Sequence, residues 1–175
     1  MRKLVYSVAA SLDGFIAGPN GEYDWIPDDP DMDLASLFQR FDTLVTGSGT
    51  YRTFRAGGQE SMPGMRMIVF SKSLCQADCP GIELHSGDAA DFTDALKREH
   101  GKDIWLFGGG RLFKSLLAVG LVDEVEVAVA PVLLGEGIPL LPGPAERRRL
   151  ILTRHRTYGS GIVLLSYAIS RESGG

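Results

Sequence analysis

The residues of this chain best suited to hold a phosphate are three consecutive glycines that close an apolar run. They lie in Asp103-Ile104-Trp105-Leu106-Phe107-Gly108-Gly109-Gly110-Arg111-Leu112-Phe113. Glycine has no Cβ, so a ligand can approach the backbone closely. A helix that begins at once adds unpaired N–H groups and the positive end of its dipole. Arg111, in the first turn of that helix, can add a charged donor. The spacing is not Gly-x-Gly-x-x-Gly, because position 113 is Phe, and no P-loop Lys-Ser/Thr follows. Alone, the turn reads equally as a phosphate cradle or as tight strand-to-helix packing. Two more strand ends carry compatible groups, Thr46-Gly47-Ser48-Gly49-Thr50-Tyr51 and Phe70-Ser71-Lys72-Ser73. Ligands of open α/β sheets sit beyond the carboxyl ends of parallel strands, so three such ends together point to one nucleotide-sized site. Each by itself is an ordinary capped loop.

A second group of residues lies in a long loop and at the helix that follows it. Residues 13–30 form a long irregular stretch rich in Gly, Pro and acidic residues, with Tyr23, Trp25 and Ile26 inside it. Loops of this length in a compact domain are usually functional, and this one is suited to exclude water. Trp25 reads either as a ligand contact or as a hydrophobic plug. Asp31 or Asp33 then caps a helix whose apolar face is Leu34, Leu37, Phe38 and Phe41. Asp33 is the candidate for organising a proton, with a simple capping role weighed equally beside it. Asp13, next to Gly14, reads as a turn residue binding backbone N–H groups.

The elements that must position these groups follow from period and punctuation. Strands are expected over residues 3–10, 43–46, 66–70, 81–85, 103–107 and 122–130, and a terminal hairpin over 150–158 and 161–170. Helices are expected after residues 31–33, after Gly47, over 89–100 with Gly101 as the stop, and from the three glycines to Gly120. Val125, Val127 and Val129 share one face of their strand, which is either core or interface. Strands alternating with helices and ending in β structure predict an α/β domain, with a mainly parallel central sheet flanked by helices and an antiparallel C-terminal edge. No repeat or linker divides the 175 residues, so one domain over 1–175 is expected.

Composition narrows the partners. The formal net charge is −4 and no basic face is evident, which argues against a nucleic-acid partner. The apolar start is too short to span a bilayer and lacks a secretory cleavage pattern, so no membrane association and a cytoplasmic location are expected. Cys75 and Cys79 read as two reduced thiols in a loop, and three unpaired histidines offer no metal set.

The same segments resemble the dihydrofolate-reductase-like superfamily. Residues 107–113 resemble its second cofactor turn, and Gly47 to Tyr51 resembles the first. Ala10-Ser11-Leu12-Asp13-Gly14, Gly21-Glu22-Tyr23-Asp24-Trp25, Leu121-Val122-Asp123-Glu124 and Ala130-Pro131-Val132-Leu133-Leu134-Gly135 resemble the reductase domain of riboflavin biosynthesis. The resemblance covers residues 3 to about 170. It implies an NADPH-dependent reductase of a small pterin-like or aminopyrimidine substrate, acting as a homodimer. By position, Ala10, Ile16, Gly47, Thr50, Ser71 and Gly108, Gly109, Gly110, Arg111 and Leu112 would line the cofactor. Tyr23, Trp25, Asp33 and Phe107 would meet substrate, with Asp31 competing for the place of Asp33. Ser48 stands where the family carries the arginine that faces the 2′-phosphate. Lys72 is the substitute, which leaves NADPH against NADH open. Phe107 replaces the glutamate of the riboflavin reductases and follows the dihydrofolate-reductase habit. A reductase like that of 5-amino-6-(5-phosphoribosylamino)uracil, a true dihydrofolate reductase, and a non-catalytic nucleotide-binding dimer are the three readings.

Overall fold

Short runs of Val, Ile, Leu and aromatic residues, each closed by Gly, Ser or a polar turn, build the sheet. The computed structural model describes residues 1–32 and 35–170. In chain order the elements are β1 (Leu4–Ser11), β2 (Phe15–Ala17), α1 (Ala35–Arg40), β3 (Phe41–Gly47), α2 (Ser48–Ala56), β4 (Arg66–Phe70) and β5 (Glu83–His85). They continue with α3 (Ala89–Arg98), β6 (Asp103–Gly108), α4 (Gly110–Ala118), β7 (Glu124–Ala130), β8 (Ile138–Pro139), β9 (Leu150–Thr157) and β10 (Val163–Ile169).

Eight strands form one sheet in the order β5-β4-β3-β6-β1-β7-β10-β9. Neighbours from β5 to β7 are parallel, and β10 pairs antiparallel with both β7 and β9. The mainly parallel sheet and its antiparallel C-terminal edge are therefore as the sequence predicts. Alternation along each strand divides the core in two. Leu4 and Tyr6 of β1 join Ile104, Leu106, Val125 and Val127 beneath Leu96 of α3 and Phe113 and Leu116 of α4. Tyr6 stacks on Phe113 with centroids 3.9 Å apart. On the other face, Val5, Leu44, Val69 and Trp105 pack under Tyr51 of α2. Each fully buried Leu or Ile contributes about 1.5–3 kcal/mol, so both faces hold the central strands firmly. Val125 is 4% exposed, which makes its strand core within this chain.

Three expectations are corrected. Phe41 is not on the helix: α1 ends at Arg40, and Phe41 opens β3, buried with its ring 5.8 Å from that of Trp105. Residues 13–30 are not irregular throughout, because Phe15–Ala17 pairs with Ile138–Pro139 as a two-stranded sheet. Gly137 permits this: its φ is +155°, and a Cβ there would lie 2.3 Å from the Ala17 carbonyl oxygen. A two-residue strand containing Pro139 offers no periodic signal, so only the fold reveals it. The strand expected over 81–85 is confined to Glu83–His85.

Asp13 behaves as a turn residue. Its carboxylate accepts from the Ser11 hydroxyl at 2.6 Å and from the Leu134 and Gly135 amides at 3.1 and 2.7 Å. The loop after β7 is thereby fastened to the end of β1.

Candidate functional site

The carboxyl ends of β3 and β6 lie side by side, and two helices begin there. Thr46, fully buried, donates its hydroxyl to the Gly108 carbonyl at 2.9 Å. Gly47 precedes α2 and Gly109 precedes α4, and neither helix has a side-chain cap. The first N–H groups of both helices are thus not met by cap side chains. The peptide between Gly108 and Gly109 is cis.

The glycines of this turn differ in what they permit. A Cβ on Gly109 would meet only Thr50 Oγ1, at 3.0 Å, and Gly47 and Gly49 have open space where a Cβ would stand. A Cβ on Gly110 would lie 2.7 Å from the Pro139 carbonyl oxygen and 3.1 Å from that of Leu140. Cradle and packing, the two readings of the triple glycine, thus fall to neighbouring residues. Gly109 leaves room for a ligand beside Thr50, and Gly110 admits the loop around β8.

The other cofactor candidates gather around this turn to different degrees. Ser48 opens α2 and Leu112 lies half-buried in α4. Ala10 is 2% exposed in β1, and Ile16 packs against the core from β2. Ser71, buried at the end of β4, accepts from the Ser73 and Leu74 amides at 3.2 and 3.0 Å and so shapes its turn. Lys72 and Arg111 are exposed and make no ion pair among the described residues. Sequence reading missed Arg52. One helical turn beyond Ser48, it donates to Ser73 Oγ at 3.1 Å and brings a guanidinium beside Lys72. Its spacing of four from Ser48 was the available signal.

Beside this turn, one face of the sheet forms an aromatic floor. The Phe107 ring lies 5.0 Å from Trp105 and 6.0 Å from Phe54 of α2, both edge-on. Trp105 Nε1 donates to the Ser7 carbonyl at 2.8 Å. The pairing Tyr6↔Leu106 sets Phe107 level with Ser7, which pairs with Glu126, which pairs with Ser166, which pairs with Arg154. A row across five strands thus turns from aromatic to polar. Glu126 is 5% exposed and accepts from Ser7 (3.2 Å), Ser166 (2.7 Å) and Arg154 (2.9 Å). Arg40, at the end of α1, meets Asp103, Glu124 and Glu126. Burial works against ionisation of Glu124, but the Lys3 and Arg40 hydrogen bonds outweigh it and hold the carboxyl below its usual value. Phe54, Ser7 and Glu126 were also missed, because alternation on these strands shows a face and not what covers it.

The loop between β2 and α1 crosses this face. A Cβ on Gly21 would lie 3.1 Å from Thr53 Oγ1, and one on Gly57 would lie 2.9 Å from the Tyr23 hydroxyl, so the loop begins against α2. It ends on the β9–β10 hairpin, where Asp29 Oδ2 accepts from the Ser160 amide at 2.8 Å and Arg156 donates to the Asp31 carbonyl at 3.3 Å. Trp25 is half-buried within it, its Nε1 donating to the Glu22 carbonyl at 3.0 Å, while Tyr23 is 54% exposed. Asp31 is exposed in the turn. Asp33, the sequence-based candidate for the proton, lies outside the described residues, as does Leu34. Among the described residues no group of His, Cys, Asp and Glu can hold a metal ion, and no helix is long and apolar enough to cross a membrane.

A mainly parallel sheet with two uncapped helix N-termini at a glycine turn, and an aromatic floor beside them, defines a dihydrofolate-reductase-like fold. Comparison with known proteins agrees. The chain belongs to the RibD C-terminal domain family, whose model matches residues 2–164. It is 33% identical to the uncharacterized protein YyaP of Bacillus subtilis (strain 168), over 95% of this chain and 94% of that one. A crystal structure of a candidate riboflavin biosynthesis protein from Shewanella sp. PV-4 superposes with a TM-score of 0.83 at 24% identity, covering 98% of this chain and 100% of that one. Dihydrofolate reductase from Enterococcus faecalis, in complex with NADP(H), gives a TM-score of 0.69 at 18% identity, covering 95% and 96%. These two likenesses establish the fold.

Proposed function

We propose that this chain, working as one domain, is an NADPH-dependent reductase that transfers hydride to a pterin-like or aminopyrimidine ring. The observation that carries the reading is the Thr46–Gly108 turn, which sets two uncapped helix N-termini around Gly47, with open space where a Cβ would stand, and Gly109, whose Cβ would meet only Thr50. Such a place suits a pyrophosphate. The Enterococcus faecalis enzyme, which shares the fold, was crystallised with NADP(H).

In this account Gly47, Ser48, Thr50, Gly109 and Arg111 hold the pyrophosphate, with Ala10, Ile16, Gly108, Gly110 and Leu112 shaping the walls. Arg52 and Lys72 take the charged role that Ser48 cannot fill, because a guanidinium supplies a fork that a hydroxyl lacks. This favours NADPH over NADH. When bound, the dinucleotide supplies the hydride. Phe107, Phe54 and Trp105 give the acceptor ring a dry surface, and Tyr23 and Trp25 bound it from the loop. Reduction of a ring C=N bond places hydride on carbon and a proton on nitrogen, and Asp33 organises that proton. The apolar Phe107 at the floor favours, as a second reading, a true dihydrofolate reductase. Incubation with NADPH and dihydropterin, dihydrofolate or aminouracil acceptors, followed by loss of the reduced-nicotinamide absorbance, tests the proposal. Turnover of one acceptor supports it; binding of NADPH with no turnover of any would leave a nucleotide-binding protein without this chemistry.

A further inference from the structure

The two halves of the site carry opposite charge, and this bears on what the acceptor ring can carry. The nucleotide half has Arg52, Lys72 and Arg111, none of them in an ion pair among the described residues. The loop over the ring half is the reverse. From residue 18 to residue 32 it carries Glu22, Asp24, Asp28, Asp29 and Asp31, and no Lys, Arg or His. Its contacts with α2 at one end and with Ser160 and Arg156 at the other hold it across the sheet face.

The floor does not offset that charge. Arg40 is shared among Asp103, Glu124 and Glu126, Lys3 pairs with Glu124, and Arg154 pairs with Glu126. These cations are matched by as many carboxylates. The cavity between α1 and the sheet, lined by Arg40, Glu124, Glu126, Thr153, Arg154 and Ser166, is therefore polar but close to neutral. Two further cations stand beside the loop: Arg156 donates to the Asp31 carbonyl and lies over the Tyr158 ring, 4.6 Å from its centroid, and Arg55 of α2 lies over the Tyr51 ring, 5.9 Å from its centroid. An anionic substituent on the ring would lie under the acidic loop with guanidinium groups already engaged, and would lose its water for no new partner.

Resting on the reductase reading, we propose that the acceptor is a planar nitrogen heterocycle that is neutral or protonated and carries no phosphate or carboxylate substituent. Its exocyclic groups meet the hydrogen-bonding row of Ser7, Glu126 and Ser166, and its ring meets Phe107 and Phe54.

The test compares methotrexate with its dimethyl ester, which lacks both carboxylate charges at the cost of two added methyl groups, by isothermal titration of the full chain with NADP⁺ in excess; the salt dependence isolates the charge. The ester binds more tightly by about fivefold or more at low salt, and the gap shrinks as ionic strength rises and screens the loop. Asp24→Asn with Asp28→Asn, both exposed and outside the binding machinery, narrows the gap by about half and leaves NADPH affinity unchanged. Methotrexate binding as well as its ester, or better, overturns the proposal. A gap untouched by the double substitution overturns the part given to the loop. Failure of both ligands to bind while NADP⁺ still binds removes the pterin-like reading and the proposal with it.

Discussion

The buried hydroxyl of Thr46 donates to the carbonyl oxygen of Gly108, 2.9 Å away and 62 residues on, and so joins the two turns that precede α2 and α4. The bond sits where the β3–β6 register shifts, between Val45 and Thr46. Without it both turns would have to be placed by the strands alone. Thr46→Val keeps the shape and removes the donor. It should destabilise the chain by about 1–3 kcal/mol, the cost of a buried carbonyl left unmet. NADPH affinity should fall as well, since the turns would no longer be registered. Chemical denaturation and a binding titration on one sample read both effects.

Neighbouring glycines should fail in different ways. Gly109 has φ −98°, ordinary extended backbone, and space bounded only by Thr50. Gly109→Val should leave folding intact and abolish nucleotide binding. Gly110→Ala should destabilise by about 1–3 kcal/mol, because the methyl group meets backbone that cannot turn aside. Circular dichroism melts with parallel titrations separate the two; retained binding in Gly109→Val would remove the cradle.

Asp13 should make stability depend on acid pH. Hydrogen bonds from the Ser11 hydroxyl, then from the Gly135 amide and, less, the Leu134 amide, hold its carboxyl below the ordinary value of 3.8. A depressed carboxyl contributes stability above the unfolded value and loses it as pH falls through the folded one. Asp13→Asn should flatten the fall in urea midpoint below about pH 4 and change little near neutrality beyond a constant offset.

Arg40 should matter for the ring half of the site and not for the nucleotide half. Arg40→Met leaves Asp103, Glu124 and Glu126 short of a cation they share. A cost of about 2 kcal/mol is expected, below that of a fully buried pair because the side chain is 30% exposed. With α1 released from the sheet, KM for the acceptor should rise while NADPH affinity holds.

Asp33→Asn should preserve cofactor affinity and lower turnover, read by a nucleotide titration beside steady-state rates. Unchanged turnover would return Asp33 to a helix cap.

Much of this was legible in the residues. Period-two alternation grouped Val125, Val127 and Val129 on one face of β7, and glycine-ended apolar runs marked β3 and β6 because a parallel strand must end in a turn before its helix. Phe41 misled because its spacing from Phe38 suits a helix, while burial against Trp105 pulls it into β3. The β2–β8 pair and the Glu126 row were hidden for a different reason. Both depend on segments far apart in sequence, Phe15 with Pro139 and Ser7 with Arg154, and local pattern carries no trace of such pairing. Arg52 lies outside the glycine turn's own motif, yet from one turn along the helix its guanidinium reaches the loop after β4.

The central claim is that the Thr46–Gly108 turn holds a nicotinamide dinucleotide. Titration with NADPH and with NADH, followed by the fluorescence of Trp105 and Trp25, tests it most directly. Saturable quenching, tighter for NADPH than for NADH and lost in Gly109→Val, is the predicted result. A folded chain whose fluorescence responds to neither nucleotide, or responds equally in Gly109→Val, would contradict it.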